Sequence, residues 1–300
     1  MLRCSKASRA DPGPQAIAGL NAIGHGSPFA VRTRRICKIF YRKILGRKRW
    51  REISELSTSG IHQAVLRAIA ATSLPTSGDY LDVGSGSGEL LRLVGAHYPF
   101  RCFGCDYTDK LLSSPGPTID TVDLNRQPLP YNDNRFALVT CIETIEHLEH
   151  YREVIREIYR VLQPGGVAVF STPNILNLRS RLRYLSSGFY NLFGPLAADE
   201  SDIHTTRGHI NPVSWFYLSH ALLSAGFRDL KVTVDKYQRR SLLAFPFAIL
   251  PLRAANWVVY RRDKSTYGTL DERNAWAVRA MNSPDLLLGR TLIVTAIKPA

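Results

Sequence analysis

Apolar positions along the middle of this chain fall into two alternating patterns. Asp79–Val83, Arg101–Cys105, Thr118–Val122, Phe136–Cys141, Gly166–Ser171, Leu230–Val234 and Thr291–Ile297 are short apolar or β-branched runs, and they predict strands. Pro164-Gly165-Gly166 opens the fifth of them. Between these runs, Glu89–His97, Tyr151–Leu162 and Val213–Ala225 space their apolar residues three and four apart, which predicts helices. Asn211 is the expected N-cap of the last, with Pro212 in its first turn. A further helix is expected over Ile61–Ala71. Strands and helices in alternation predict a doubly wound parallel α/β sheet.

The flanks differ. Residues 1–30 are rich in Ala, Gly, Pro and Ser and read as a disordered tail, of a composition that a eukaryotic transit peptide shares. In residues 31–56, Ile36, Ile39, Phe40, Ile44 and Leu45 alternate with Arg34, Arg35, Lys38, Arg42 and Lys43. That is a basic amphipathic helix, which lies either on an anionic membrane surface or on its own domain. The domain division is therefore a basic extension, 1–56, and a body, 57–300, with insertions at about 186–210 and 236–289. The second insertion holds the apolar run Leu242–Tyr260, broken by Pro246, Pro251 and Arg253, so no transmembrane helix is assigned. It reads as a lipid-touching surface or as a helical subdomain or dimer contact. No secretory leader is recognised.

Charge follows the same division. The 300 residues carry a net charge of +14, but residues 1–51 hold thirteen bases and one acid, leaving the rest near neutral at +2. A neutral body argues against a surface built to track nucleic acid. Five scattered cysteines do not make a disulfide framework, which places the chain in a reducing, cytoplasmic setting, at the inner face of a membrane if the extension binds lipid. Cys102 and Cys105 form a CxxC with no second pair, a poor zinc or redox motif.

The strongest local signal is Leu81-Asp82-Val83-Gly84-Ser85-Gly86-Ser87-Gly88-Glu89-Leu90, a strand running through three glycines into a helix. Such a turn brings a ligand close to the main chain and serves dinucleotides, flavins and other adenosine ligands alike. The spacing is GxGxG, not the GxGxxG of dinucleotide sites. Asp82, two residues before the first glycine, would repel a pyrophosphate but suits a cationic ligand such as S-adenosylmethionine. Asp106, at the end of the next strand, is placed to accept ribose hydroxyls. Asp123 can accept from an adenine amino group, with Leu124 packed on the ring.

Together with Leu129-Pro130-Tyr131, Glu143-Thr144-Ile145-Glu146-His147-Leu148, Leu162-Gln163-Pro164-Gly165-Gly166 and Ser171-Thr172-Pro173-Asn174, these segments closely resemble the class I S-adenosylmethionine-dependent methyltransferases. The likeness is to the bacterial branch of quinone, glycan and natural-product enzymes. It covers about residues 78–235 and the last strand. The resemblance implies a seven-stranded Rossmann-like sheet with an antiparallel last strand. It also implies S-adenosylmethionine as cofactor, bound by Asp82, Gly84, Gly86, Gly88, Asp106, Tyr107, Asp123 and Leu124, with Cys141 and Ile142 at the end of the fourth strand. His147 and Glu143 are the catalytic candidates, with Glu146 beside them; the alternative for these residues is a helix-opening cap.

Asp199, Glu200, Asp202, His204 and His209 make a second polar cluster. It lacks fixed helical spacing, so no metal is assigned, and His204 and His209 are read as acceptor contacts. The expected function is methylation of an oxygen on a small, sugar or lipid-linked acceptor, with a quinone-type phenol as the alternative. Cys141-Ile142-Glu143-Thr144 departs from the Asn/Asp-Pro-Pro-Tyr/Phe of base-amine methyltransferases, which argues against nucleic-acid substrates. A nucleic-acid-binding protein with an inactive fold is the rival from another class. Oligomeric state and the acceptor's identity are not fixed by these residues.

Overall fold

The computed structural model describes residues 47–75, 77–109, 119–196 and 209–300, with side chains from residue 59 onward. The chain divides into two compact units, Met1–Leu56 and Ser57–Ala300. The basic pattern of 31–46 and the cluster at Asp199, Glu200, Asp202 and His204 lie outside the described residues.

Helix α1 spans Arg47–Ala70 and is followed by β1 (Gly78–Val83), α2 (Glu89–His97), β2 (Phe100–Asp106), β3 (Ile119–Thr121) and β4 (Phe136–Ile142). A 3₁₀ turn at Ile145–His147 leads to α3 (Tyr151–Val161) and β5 (Leu162–Pro173). Then come α4 (Leu178–Ser187), α5 (Trp215–Ala225), β6 (Arg228–Val234), α6 (Arg239–Ser265), α7 (Ala275–Ala280), α8 (Pro284–Leu288) and β7 (Thr291–Ile297).

The strands form one sheet in the order β3-β2-β1-β4-β5-β7-β6. The first five pair in parallel, and β7 runs antiparallel to both β5 and β6. This is the doubly wound, Rossmann-like architecture with an antiparallel last strand. Helices cover both faces, so central strands are buried on both sides and need not alternate. Every residue from Phe136 to Cys141 in β4 is buried.

On one face Val154, Ile155 and Ile158 of α3 meet Trp215, Leu218 and Leu222 of α5. On the other, Val65 and Ile69 of α1 meet Leu90, Leu91 and Val94 of α2. In α3 the buried positions 154, 155, 158 and 161 mark a single stripe, the period that predicted it. Cys102 and Cys105 are free and belong to the packing on opposite faces of the sheet, because residues three apart in a strand point opposite ways. They cannot act as a pair.

Three expectations need correction. Helix α5 begins at Trp215 with Ser214 as N-cap, not at Val213. Asn211 is used elsewhere: its side chain donates to the Leu148 carbonyl and its N–H to the Glu146 carbonyl. Strand β5 is longer than Gly166–Ser171, because its entry Leu162–Gly165 continues directly from α3. The third concerns the second insertion. Pro246 and Pro251 do not interrupt it, and α6 runs for 27 residues through both. It is long and apolar enough to cross a membrane by length and composition, and none of its apolar window is buried. Its apolar residues face outward instead: Leu243, Phe247 and Leu250 are each more than two-thirds exposed.

Candidate functional site

Strands β1, β2, β4 and β5 are parallel, so their carboxyl ends share one edge. Strand β1 sits between β2 and β4, and successive connections leave it in opposite directions. The crevice at such a switch point is where ligands bind in open α/β sheets. Val83, the last residue of β1, pairs with Cys105 on one side and Cys141 on the other. The glycine loop therefore opens between the ends of β2 and β4.

All three loop glycines have left-handed backbones, with φ of 76° at Gly84, 53° at Gly86 and 74° at Gly88, the N-cap of α2. The loop is pinned by Gly84 N–H and Ser85 N–H, both donating to the Cys105 carbonyl, at 2.8 and 3.1 Å. The Ser85 hydroxyl donates to the Asp82 carbonyl at 2.7 Å. Gly84 and Gly86 are glycine for different reasons. A Cβ at Gly84 would lie 2.7 Å from Thr144 Cγ2 and closer still to its hydroxyl, whereas one at Gly86 would meet nothing within 4 Å. Gly84→Ala is therefore expected to cost about 2–5 kcal/mol, from left-handed strain plus overpacking. Gly86→Ala is expected to cost only the strain, about 1–2 kcal/mol. Urea unfolding of the two variants checks this, and equal losses would refute the distinction.

Asp82 is buried beneath the loop, 3% exposed. Its Oδ1 accepts the Thr140 hydroxyl at 2.5 Å, and Thr140 Oγ1 shares a 2.7 Å hydrogen bond with the Tyr80 hydroxyl. Burial pushes the Asp82 carboxyl up to about 7; the Thr140 bond opposes this and the nearby Asp106 charge adds to it. Asp106, 5% exposed, ends β2 and accepts the Gly86 N–H at 2.8 Å. Tyr107 beside it is 45% exposed. Asp123 and Leu124 follow β3 and are half-buried; Asp123 Oδ1 accepts the Asn125 N–H at 3.0 Å and so shapes its own turn. Cys141 is fully buried and Ile142 half-buried at the end of β4.

Beyond β4 the chain turns sharply. Glu143 has φ of 51°, a conformation non-glycine residues adopt at some cost. It is held there by Ser171 at the end of β5, whose hydroxyl donates to Glu143 Oε1 and accepts the Glu143 N–H, both at 3.0 Å. Burial pushes Glu143 up to about 7, opposed by Ser171 and Arg290 and reinforced by Asp235. Glu146 is fully buried, and among the described residues neither carboxylate oxygen makes a well-formed hydrogen bond; the Thr172 hydroxyl is the donor beside it. Burial, then the Glu143 charge, drives its pKa well above the usual carboxylate range. The His147 ring stands 4.8 Å from that of His209, edge to face. Burial and then His147 lower His209 to about 4.

The structure thus joins Glu146, His147 and His209, residues the sequence separates by some sixty positions. The full burial of Glu146 carries no sequence signal. Thr140 and Ser171 were also missed as site residues. Each sits two positions inside a strand end; a hydroxyl among apolar neighbours is the hint at Thr140, and Ser171 also opens a family-like segment.

The methyltransferase-domain family model matches residues 51–232. The chain is 30% identical over 135 residues to a ubiquinone/menaquinone biosynthesis C-methyltransferase of Desulfotalea psychrophila, covering 42% of this chain and 55% of that protein. It is 27% identical over 195 residues to the protein of the same name from Pseudomonas savastanoi, covering 58% and 75%. The chain spans about half to three quarters of the length of these relatives. A SAM-dependent methyltransferase from Archaeoglobus fulgidus superposes with a TM-score of 0.49 at 16% identity, over 79% of this chain and 93% of that one.

Proposed function

The chain belongs to the methyltransferase-domain family, and from that premise we propose that it transfers the methyl group of S-adenosylmethionine to an oxygen of a lipid-linked or sugar-bearing acceptor reached at a membrane surface. The residues present fit the cofactor. The space over Gly86 is a cradle that a larger side chain would fill. Asp82 near the carboxyl end of β1 and Asp106 at that of β2 place two carboxylates beside the loop, one for a cationic end and one for ribose hydroxyls. Bound there, the cofactor supplies a methyl carbon already activated by a sulfonium.

The chain's own work is to align the acceptor, exclude water and manage one proton. Ser171 fixes Glu143 at the end of β4 to accept that proton. By this reading His147 and His209, whose rings lie 4.8 Å apart, contact the acceptor.

The observation that carries the membrane reading is α6. Positions 243, 247, 250, 254 and 257 recur on one helical face, and Leu243, Phe247, Leu250 and Trp257 on it are 60–84% exposed. Arg239 and Arg240 precede this face, and Arg261, Arg262 and Lys264 follow it. An apolar stripe with basic ends suits a helix lying in an anionic interface. The opposite side of α6 is tied to the domain, with the Tyr260 hydroxyl donating to the Val278 carbonyl at 3.0 Å. A helix so attached lies on a membrane more readily than across it.

A ring carbon of a quinone is the second reading, favoured by the likeness to ubiquinone/menaquinone C-methyltransferases. The test mixes the full chain with methyl-labelled S-adenosylmethionine and phosphatidylglycerol vesicles carrying a bacterial lipid extract. Label is expected in the lipid fraction, as an alkali- and acid-stable ether for an oxygen acceptor. Phe247→Glu with Leu250→Glu is expected to lower vesicle co-sedimentation at least about tenfold, since two large apolar side chains are withheld from the interface. Unchanged sedimentation, or label confined to water-soluble products, would remove the membrane reading.

A further inference from the structure

A carboxylate without a partner in a protein interior is costly, and natural structures resolve it with a proton, a donor or a cation. Glu146 has no exposed surface, and among the described residues neither of its oxygens makes a well-formed hydrogen bond, the Thr172 hydroxyl being the donor beside it. His209 repeats the pattern, with its Nδ1 buried and without a hydrogen bond among the described residues. One ligand atom from each of Glu146, His147 and His209 lies within 4.8 Å of the other two.

From this juxtaposition we propose that Glu146, His147 and His209 bind a divalent first-row transition cation such as Zn²⁺ or Mn²⁺. Two imidazoles and one carboxylate are a donor set such ions accept, and three protein ligands leave positions open. At metal–ligand distances near 2.1 Å, tetrahedral ligand atoms stand about 3.4 Å apart, so a closure of roughly 1.5 Å at the widest pair completes the site.

The ligands are already held for this. Glu146 and His147 share the rigid 3₁₀ turn after β4. The strand-like segment bearing His209 is stapled to that turn, because Ile210 N–H and Asn211 N–H both donate to the Glu146 carbonyl at 2.9 Å. Phe193 packs its ring 5.0 Å from that of His209 and fixes its orientation. Two distant chain segments are thus locked together where Glu146 and His209 meet His147.

The inference deepens the methyl-transfer reading and its use there rests on that reading. A cation at this place would hold an acceptor oxygen and lower the pKa of its hydroxyl. That favours acceptors presenting a hydroxyl beside a second oxygen, as a catechol or a sugar diol does, since both oxygens can occupy the open positions. His147 then acts as a ligand, and the proton passes to Glu143.

The test titrates the metal-stripped full chain with Co²⁺, read by its visible spectrum, and with Zn²⁺, read by calorimetry. S-adenosylhomocysteine binding is measured on the same samples. The wild type is expected to take up one Co²⁺ per chain. Glu146→Gln and His209→Asn are each expected to weaken metal binding at least about tenfold while keeping their thermal transitions and their S-adenosylhomocysteine affinity. Absence of stoichiometric metal binding by the wild type would overturn the proposal. So would folded Glu146→Gln and His209→Asn proteins that bind Co²⁺ as the wild type does. Metal uptake without S-adenosylhomocysteine binding would uphold the site and overturn the methyltransferase reading instead.

Discussion

Asp82→Asn is expected to stabilise the ligand-free protein above neutral pH while weakening its hold on the cofactor. The cause is the cost of ionising a buried acid. Asp82 is raised from its ordinary value of 3.8 to about 7 by burial, despite the Thr140 hydroxyl and with help from the Asp106 charge. In the unfolded chain the group ionises near 3.8; in the folded chain it keeps its proton to about 7. Between those values the folded state binds more protons, so stability falls as pH rises and levels off above the folded pKa. A gap of about three pKa units corresponds to at most roughly 4 kcal/mol.

Asparagine removes that charge and keeps an oxygen for Thr140 to donate to. The variant should match the wild type near pH 4 and exceed it increasingly through pH 7. Urea unfolding from pH 4 to 8.5 reads this directly, and parallel pH profiles would contradict it. The gain should be offset in function, because a cation arriving with the cofactor is what makes an ionised Asp82 favourable. A site that is costly when empty and neutralised when filled trades stability for binding.

The second large effect is at the neighbouring strand. Asp106→Ala is expected to lower S-adenosylhomocysteine affinity by roughly 100-fold or more, measured by calorimetry. Two ribose hydroxyls donating to one carboxylate contribute about 1.5–3 kcal/mol each as charge-assisted bonds. The same substitution removes the acceptor of the Gly86 N–H and loosens the loop. Asp106→Asn, which keeps one acceptor oxygen, should fall between the two. Near wild-type affinity in the alanine variant would sink the assignment of Asp106 to the cofactor.

Where the local period was strong, the elements were legible from the residues. Glu89–His97 and Thr291–Ile297 have the same bounds in sequence and structure. The Gly84, Gly86 and Gly88 turn was equally plain, because positive φ is a demand that only a few residue types meet. Errors came where a residue with a strong local preference was recruited by a distant partner. Asn211 has the chemistry of an N-cap but spends its hydrogen bonds on Leu148 and Glu146, and α5 starts later, with Ser214 at its N-cap position and no side-chain capping bond. Pro246 and Pro251 carry the chemistry of helix breakers, yet α6 continues through both.

The sequence by itself determined the alternation of strand and helix, the glycine loop with its flanking carboxylates, and the concentration of charge in the first 51 residues. Each is a short-range property, written in side-chain period, backbone freedom or composition. Only the tertiary structure decided that His209 meets Glu146 and His147, that Glu146 is fully buried, and that the outer face of α6 is left uncovered by the described residues. Burial and encounter depend on which distant segments pack together, and no local pattern encodes that. The polar residues of 143–147 read alike along the chain; the fold divides them into a carboxylate held by Ser171, one fully buried, and an imidazole facing another.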